Sequence, residues 1–247
     1  MNKDVDVSFT VPDYITITNA LLGFLSITYV VDGRLWIASM LIILCVILDG
    51  FDGMLARYLN VQHQLGAYLD FFSDVISFCF APALLLYNTF YAPELGRAWM
   101  SIQNAFATLV PFLIVFLGTM RLARFVDKYS TKKIYRGLPS PLLALLVIHI
   151  AYLFGWGRTG LYHPYVGLLL GLLFSILLYC PFWYPKIRER NLRLGAGTFM
   201  LLNTVGFILV RFDQGKGKLF LLFTFSILLT YVLIGPMMVN KDGKEKN

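Results

Sequence analysis

The sequence predicts an all-α integral membrane protein with about eight transmembrane helices, and three observations carry that expectation. The 247 residues are 58% hydrophobic, with a mean hydropathy of +0.69. Only 14% are charged, against about 25% in an average soluble domain. Apolar runs approaching the ~20 residues of a spanning helix recur from end to end. They leave no stretch for a separate soluble domain, so residues 1–247 are expected to form a single polytopic membrane domain.

The spans fall at roughly 13–31, 35–58, 66–90, 99–123, 138–155, 161–181, 197–212 and 218–238. The seventh is short and carries Arg211. Turns are expected at Asp32-Gly33, Ala92-Pro93, Gly155-Trp156-Gly157 and Gly215-Lys216-Gly217. Before the first span, SFTVPDYIT supplies a Pro and helix-capping residues, and a short helix lying at the interface is expected there.

Eight spans put both termini on one side. That side carries fifteen of the 21 Lys and Arg residues, including Lys128, Lys132, Lys133 and Arg136, and the other carries six. The positive-inside rule then places both termini in the cytoplasm of a multi-pass protein of the cell membrane. The net charge of +7 is distributed between the apolar runs. It reads as contact with anionic headgroups, and no nucleic-acid partner is expected. No basic stretch followed by a short apolar core opens the chain, so no signal peptide is expected. Cys45, Cys79 and Cys180 each lie in an apolar run and fit neither a disulfide framework nor a zinc site; they read as small buried hydrophobes.

Against this background Asp49, Asp52, Asp70 and Asp74 are conspicuous. A carboxylate at mid-helix costs roughly 2.5–3.5 kcal/mol on insertion scales. Asp49 and Asp52, three apart, share a face of the second span, beside the small residues Gly53 and Ala56 and followed by Arg57. Gly66, Asp70 and Asp74, four apart, form one stripe on the third. A short loop makes these spans antiparallel, so the two carboxylate pairs lie at similar depth. Four facing carboxylates repel unless cations intervene, and two divalent ions neutralise them. An all-oxygen site suits Mg²⁺, Mn²⁺ or Ca²⁺ rather than zinc. Two such cations beside an Arg and close-approach glycines match the needs of phosphoryl transfer, in which a spare carboxylate serves as general base. Helix bridging by Arg or Lys is a weaker alternative, because too few cations lie within the spans. A divalent-cation transporter is the alternative from another class, but it needs acidic residues in the outer half as well.

Thr16 and Asn19 share a face near the cytoplasmic end of the first span. Each also has an ordinary reading, the Thr bonding its own helix backbone and the Asn bridging two helices.

The run DGFDGMLAR, eight residues, then GAYLDFFSD resembles the signature of the CDP-alcohol phosphotransferase family. All eight signature positions are present: Asp49, Asp52, Gly53, Ala56, Arg57, Gly66, Asp70 and Asp74. The resemblance implies a six-helix core, about 10–185, with two C-terminal helices, about 195–240, as an extension. It implies attack of an alcohol hydroxyl on the lipid-side phosphate of a CDP-lipid, with release of CMP. Asp49, Asp52, Asp70 and Asp74 become ligands of two divalent cations, Mg²⁺ or Mn²⁺ with Ca²⁺ as the third choice, and Asp74 the general base. Gly53, Ala56, Arg57 and Gly66, with Thr16 and Asn19, fall on the CDP-lipid side. The family resemblance also implies a homodimer among membrane lipids.

The acceptor is read elsewhere. Arg121 and Arg124 lie on one face at the end of the fourth span, and Gly137-Leu138-Pro139-Ser140-Pro141 opens the fifth. Two Arg residues at this depth suit an anionic group, and interfacial snorkelling is the plainer reading. RLARF followed by GLPSP, with the opening VPDYITITNALLGFLSI, resembles the phosphatidylserine synthase branch, although Asp13 stands where Asn is common. That branch implies L-serine as acceptor, with Arg121, Arg124 and Ser140 meeting serine or a lipid phosphate. Glycerol 3-phosphate and an inositol phosphate are the in-family alternatives.

Overall fold

The computed structural model describes residues 9–61, 63–97, 100–126, 134–155, 163–185 and 190–238. Among these, α1 (Val11–Val31), α2 (Leu35–Tyr58), α3 (Gln64–Asp74), α4 (Ala81–Phe90) and α5 (Ile102–Arg124) precede α6 (Ser140–Ile150) and α7 (Pro164–Tyr179). Two C-terminal helices follow, α8 (Arg190–Phe212) and α9 (Gln214–Ile234). Two short strands, β1 (Ile134–Arg136) and β2 (Trp183–Pro185), pair antiparallel outside the helices; no feature of the apolar pattern announces them.

The all-α, multi-pass membrane architecture stands, but the count of eight spans is corrected. Five helices among the described residues are long and apolar enough to cross a membrane: Val11–Val31, Leu35–Tyr58, Gln64–Phe90, Ile102–Arg124 and Gly215–Met237. Ser140–Gly155, Pro164–Tyr179 and Gly197–Phe212 are apolar but only 10–17 residues long. The 16 residues of α7 rise about 24 Å, short of a hydrocarbon core of about 30 Å. Hydropathy registers the apolar run, whereas Pro164 and the extended Cys180 set where this helix starts and stops.

The third rod runs from α3 to α4 through a π-helical turn, Val75–Phe80. Pro82, in the first turn of α4, supplies the reason. It lacks an N–H, and its ring would crowd the carbonyl four residues back. Widening the turn relieves this, and the Ala81 N–H donates to the Ile76 carbonyl, five residues back. The π turn begins immediately after Asp74, so the distortion borders the acidic stripe.

The core gathers on α6, in which every residue from Leu143 to Ile150 is buried. A helix apolar all round belongs inside a bundle, and α2, α4, α7 and α9 pack on it. Its one ionisable residue, His149, faces the Leu145 carbonyl through Nδ1 at 2.8 Å and Thr224 Oγ1 of α9 through Nε2 at 2.9 Å. Nδ1, set against a carbonyl, carries the proton, and Nε2 accepts from the Thr224 hydroxyl. Trp36 Nε1 of α2 donates to the Phe207 carbonyl of α8 at 2.9 Å. These bonds fasten the C-terminal pair to the bundle.

Local expectations fare unevenly. Gly33 turns with φ +71° between α1 and α2, as expected. Gly215 and Gly217, expected in a loop, lie inside the first turns of α9. The turn is at Asp213, whose side chain accepts from the Lys216 N–H at 3.1 Å and so starts the helix earlier. The segment from Val11 onward belongs to α1 rather than to a separate interfacial helix; Ser8, where that expectation began, lies outside the described residues, as do Trp156 and Gly157. Cys45 and Cys79 are buried, Cys180 is half-buried, and all three are free.

Candidate active site

Helix α1 carries an unusual buried face. Asp13, Thr16, Asn19, Gly23, Ser26 and Val30 recur every three or four residues and are all buried, so the stripe facing the bundle is polar or small. Without water to drive apolar burial, helix pairs in lipid associate through close packing and hydrogen bonds, and this face supplies both. Thr16 Oγ1 lies 2.7 Å from Asp52 Oδ2 and 3.1 Å from the Pro12 carbonyl. Its single proton favours the shorter contact, on the carboxylate. The Asn19 carbonyl accepts from Cys45 Sγ of α2 at 3.5 Å and from Ser77 Oγ of the π turn at 3.1 Å, while Asn19 Oδ1 is buried without a hydrogen-bond partner.

Three of the four aspartates converge. Asp49 of α2 and Asp70 and Asp74 of α3 each offer a carboxylate oxygen, all within 4.8 Å of one another. Asp74 Oδ1 is buried with no hydrogen-bond partner. Among the described residues no ion pair joins a Lys or Arg to any of the three. A trio of hard oxygen donors with an orphaned buried atom fits one divalent cation. Asp52, 4% exposed, stands outside this trio with the Thr16 hydroxyl on its Oδ2.

On the expected nucleotide side, the guanidinium of Arg57 folds back over Gly53. A Cβ at Gly53 would meet Arg57 Nη1 at 3.3 Å. Ala56 is half-buried, and its carbonyl accepts from the Val61 N–H at 3.2 Å. The Cβ direction of Gly66 points at side chains of this same chain, Asp13 Oδ1 at 3.0 Å and His63 Cε1 at 3.4 Å.

The expected acceptor residues also meet. Arg121, 6% exposed, donates from Nη1 to Ser140 Oγ at 2.8 Å, joining α5 to the start of α6. Arg124 is exposed and lies over the ring of Tyr179, 3.9 Å from its centroid, a cation–π geometry worth about 0.5–1 kcal/mol at such a site. Arg121, Arg124, Phe125, Arg136, Leu178 and Tyr179 line one shallow, open cleft. Helix α5, which carries Arg121, packs on α3 and on the π turn that follows Asp74, so the cleft lies on the side of the bundle that holds the acidic trio. Arg136 counted in the sequence only as a topology charge. Its place beside GLPSP was the signal available, and β1 carries it to the cleft. Gly137, at φ +79°, makes the turn between them.

Comparison with known proteins matches residues 9–180 to the CDP-alcohol phosphatidyltransferase family. The chain is 32% identical to the archaetidylserine synthase of Methanothermobacter thermautotrophicus, over 75% of this chain and 74% of that one. It is 33% identical to the CDP-diacylglycerol–serine O-phosphatidyltransferase of Methanocaldococcus jannaschii, over 72% and 74% of the two chains. The protein of that name from Helicobacter pylori strain J99 is 31% identical over 78% and 80%. The signature on α2 and α3, the acidic trio it builds and this match along most of the chain agree: the protein belongs to the CDP-alcohol phosphatidyltransferase family.

Proposed function

We propose that this protein transfers the phosphatidyl-type group of a CDP-lipid to the hydroxyl of L-serine and releases CMP. The observation that carries the reading is the convergence of Asp49, Asp70 and Asp74 beside a cleft in which Arg121 is held by Ser140. The serine synthases of the comparison support serine as the acceptor. The headgroup chemistry is the same for ester-linked and ether-linked lipids, and both kinds of synthase name occur among these relatives.

In this reading Asp49, Asp70 and Asp74 would hold one divalent cation, and Asp52 would contribute to holding a second. Bound there, Mg²⁺ or Mn²⁺ supplies charge stabilisation on the pyrophosphate and on the leaving group. Asp74 takes the proton of the serine hydroxyl. The serine oxygen forms a bond to the lipid-side phosphorus as the bond from that phosphorus to the bridging oxygen breaks, and CMP departs with that oxygen. Gly53, Ala56, Arg57, Gly66, Thr16 and Asn19 form the CDP-lipid side. Arg121 and Arg124 meet the serine carboxylate or a lipid phosphate.

The core is residues 10–185 and the extension 195–240 of a single domain, a division supported by a family match that ends at residue 180. Both termini and the site face the cytoplasm, supported by the distribution of Lys and Arg. The homodimer rests on family resemblance alone.

Arg136 favours a second reading, because a third guanidinium in the cleft suits the dianionic phosphate of glycerol 3-phosphate or an inositol phosphate. Nothing comparable favours a divalent-cation transporter, and family membership counts against it. The test is CMP release from a CDP-lipid with Mn²⁺, offering L-serine, glycerol 3-phosphate and inositol phosphate in turn. Serine-dependent release that stops in excess chelator is expected. Release driven by a phosphorylated acceptor alone overturns serine, and ion flux in liposomes without CMP overturns the transferase.

A further inference from the structure

A buried polar contact outside the acidic trio and the arginine cleft joins the start of α1 to the start of α3. Asp13 is 3% exposed. Its Oδ2 accepts from the Thr10 N–H at 2.6 Å, from Thr10 Oγ1 at 2.7 Å and from His63 Nε2 at 3.0 Å. His63 is the N-cap of α3, and its Nδ1 accepts from the Gly66 N–H at 3.0 Å. An Nδ1 that accepts leaves the proton of the neutral ring on Nε2, where it is donated to Asp13. One imidazole thus joins a buried carboxylate on one helix to the first turn of another, across 50 residues of sequence.

Gly66 is the seat of this contact. A Cβ there would stand 3.0 Å from Asp13 Oδ1 and 3.5 Å from His63 Nε2, so only glycine lets both side chains close over the helix start without displacement. Asp70 and Asp74 follow Gly66 at four and eight residues, on the same face. A shift where α3 begins is carried along a rigid helix to both.

We propose that Asp13 and His63 form a positioning latch for the cation site. They fix the start of α3 against α1 and thereby hold Asp70 and Asp74 opposite Asp49. The inference rests on the reading of the trio as cation ligands. It departs from plain helix capping, because a cap needs only the Nδ1 contact. Groups hydrogen-bonded directly to metal ligands typically change metal affinity 10- to 100-fold when removed, and a latch that acts through the helix is expected at the low end of that range.

The test is Mn²⁺ binding to the detergent-solubilised full chain, read from the electron paramagnetic resonance signal of free Mn²⁺, with thermal unfolding as the control for folding. His63→Asn retains an N-cap acceptor for the Gly66 N–H but cannot reach Asp13. Asp13→Asn keeps an acceptor oxygen for His63, and Asp13→Ala keeps none. The latch predicts about tenfold weaker Mn²⁺ binding in His63→Asn and in Asp13→Ala. It also predicts no further loss in the double variant and affinity within about twofold of wild type in Asp13→Asn. Affinity within about twofold in both His63→Asn and Asp13→Ala overturns it, as do losses that multiply in the double variant. A wild type that binds Mn²⁺ but releases no CMP refutes the transferase reading and leaves the latch standing or falling on its own result. A wild type that binds no Mn²⁺ overturns the cation reading and the latch together.

Discussion

Replacing Arg121 tests the acceptor side of the proposed reaction most directly. Its side chain is buried, with Nη1 committed to Ser140 Oγ at 2.8 Å, so the guanidinium is pre-oriented at the cleft wall. A hydrogen bond to a charged group contributes about 1.5–3 kcal/mol, and about 1.4 kcal/mol is tenfold in a binding constant. With the guanidinium meeting the serine carboxylate, Arg121→Ala raises the KM for L-serine about 10- to 150-fold. Ser140→Ala keeps the charge but loses one bond worth about 0.5–1.5 kcal/mol, so its expected rise is about 2- to 10-fold. Arg121→Lys falls between them, because an ammonium retains charge without the planar fork. The KM for the CDP-lipid stays within about twofold throughout. The assay is CMP release in mixed micelles at saturating Mn²⁺, varying one substrate at a time. Proteins are compared only where their unfolding temperatures match, since losing a buried guanidinium also opens a cavity. A larger rise in KM for the CDP-lipid than for serine refutes the assignment and gives Arg121 to the lipid phosphate.

Other substitutions probe the remaining parts. Asp74→Asn should lower turnover by 10²-fold or more, the range of a general base, while CDP-lipid still protects the protein in thermal unfolding; unchanged turnover removes Asp74 as the base. Thr16→Val takes the hydroxyl from Asp52 Oδ2 and should cost about 1–3 kcal/mol of stability without cation, less with saturating Mn²⁺. An equal loss under both conditions argues against Asp52 as a cation ligand. Thr224→Val leaves His149 Nε2 buried without its donor and should cost about 1–3 kcal/mol with kcat and both KM values unchanged. Altered kinetics would connect the C-terminal helices to the reaction.

The acidic cluster was legible in three of its four expected members, Asp49, Asp70 and Asp74, with Asp52 outside the trio, because its information is local. Spacings of three and four residues put Asp49 with Asp52, and Asp70 with Asp74, on single faces, and a short connection made the two helices antiparallel. Arg121 and Ser140, 19 residues apart, were likewise implied by two neighbouring motifs. Contacts between distant segments were not legible. Thr16 bonds Asp52 across 36 residues, and His63 showed no periodicity to mark it as the partner of Asp13. Asp213 shows the reverse failure. Two glycines nearby signalled a loop, but the capping carboxylate ahead of them decided that a helix begins there. Membrane spans were overcounted for a related reason, since composition reports an apolar run without reporting where the backbone stops being helical.

The polar face of α1 explains how an acidic site of this kind stays assembled, and it limits what the fold alone can do. Three ionised carboxylates within 4.8 Å repel by about 3.5 kcal/mol per pair at an effective dielectric constant near 20, or about 10 kcal/mol for three pairs. Against that, α1 takes part in bonds that His63 donates to Asp13, Thr16 to Asp52, Cys45 and Ser77 to the Asn19 carbonyl, and Ser26 to the Ala38 carbonyl. At about 1 kcal/mol net for each, they offset roughly half the repulsion. A bound cation would relieve the rest, so in the proposed reading folding and cation binding are linked equilibria. Asp49→Asn removes one charge from two of the three pairs. It should therefore raise the unfolding temperature without cation and abolish most of the further rise that Mn²⁺ gives the wild type, with CMP release lost. Undiminished stabilisation of the variant by Mn²⁺ would show that the trio is not where the cation binds.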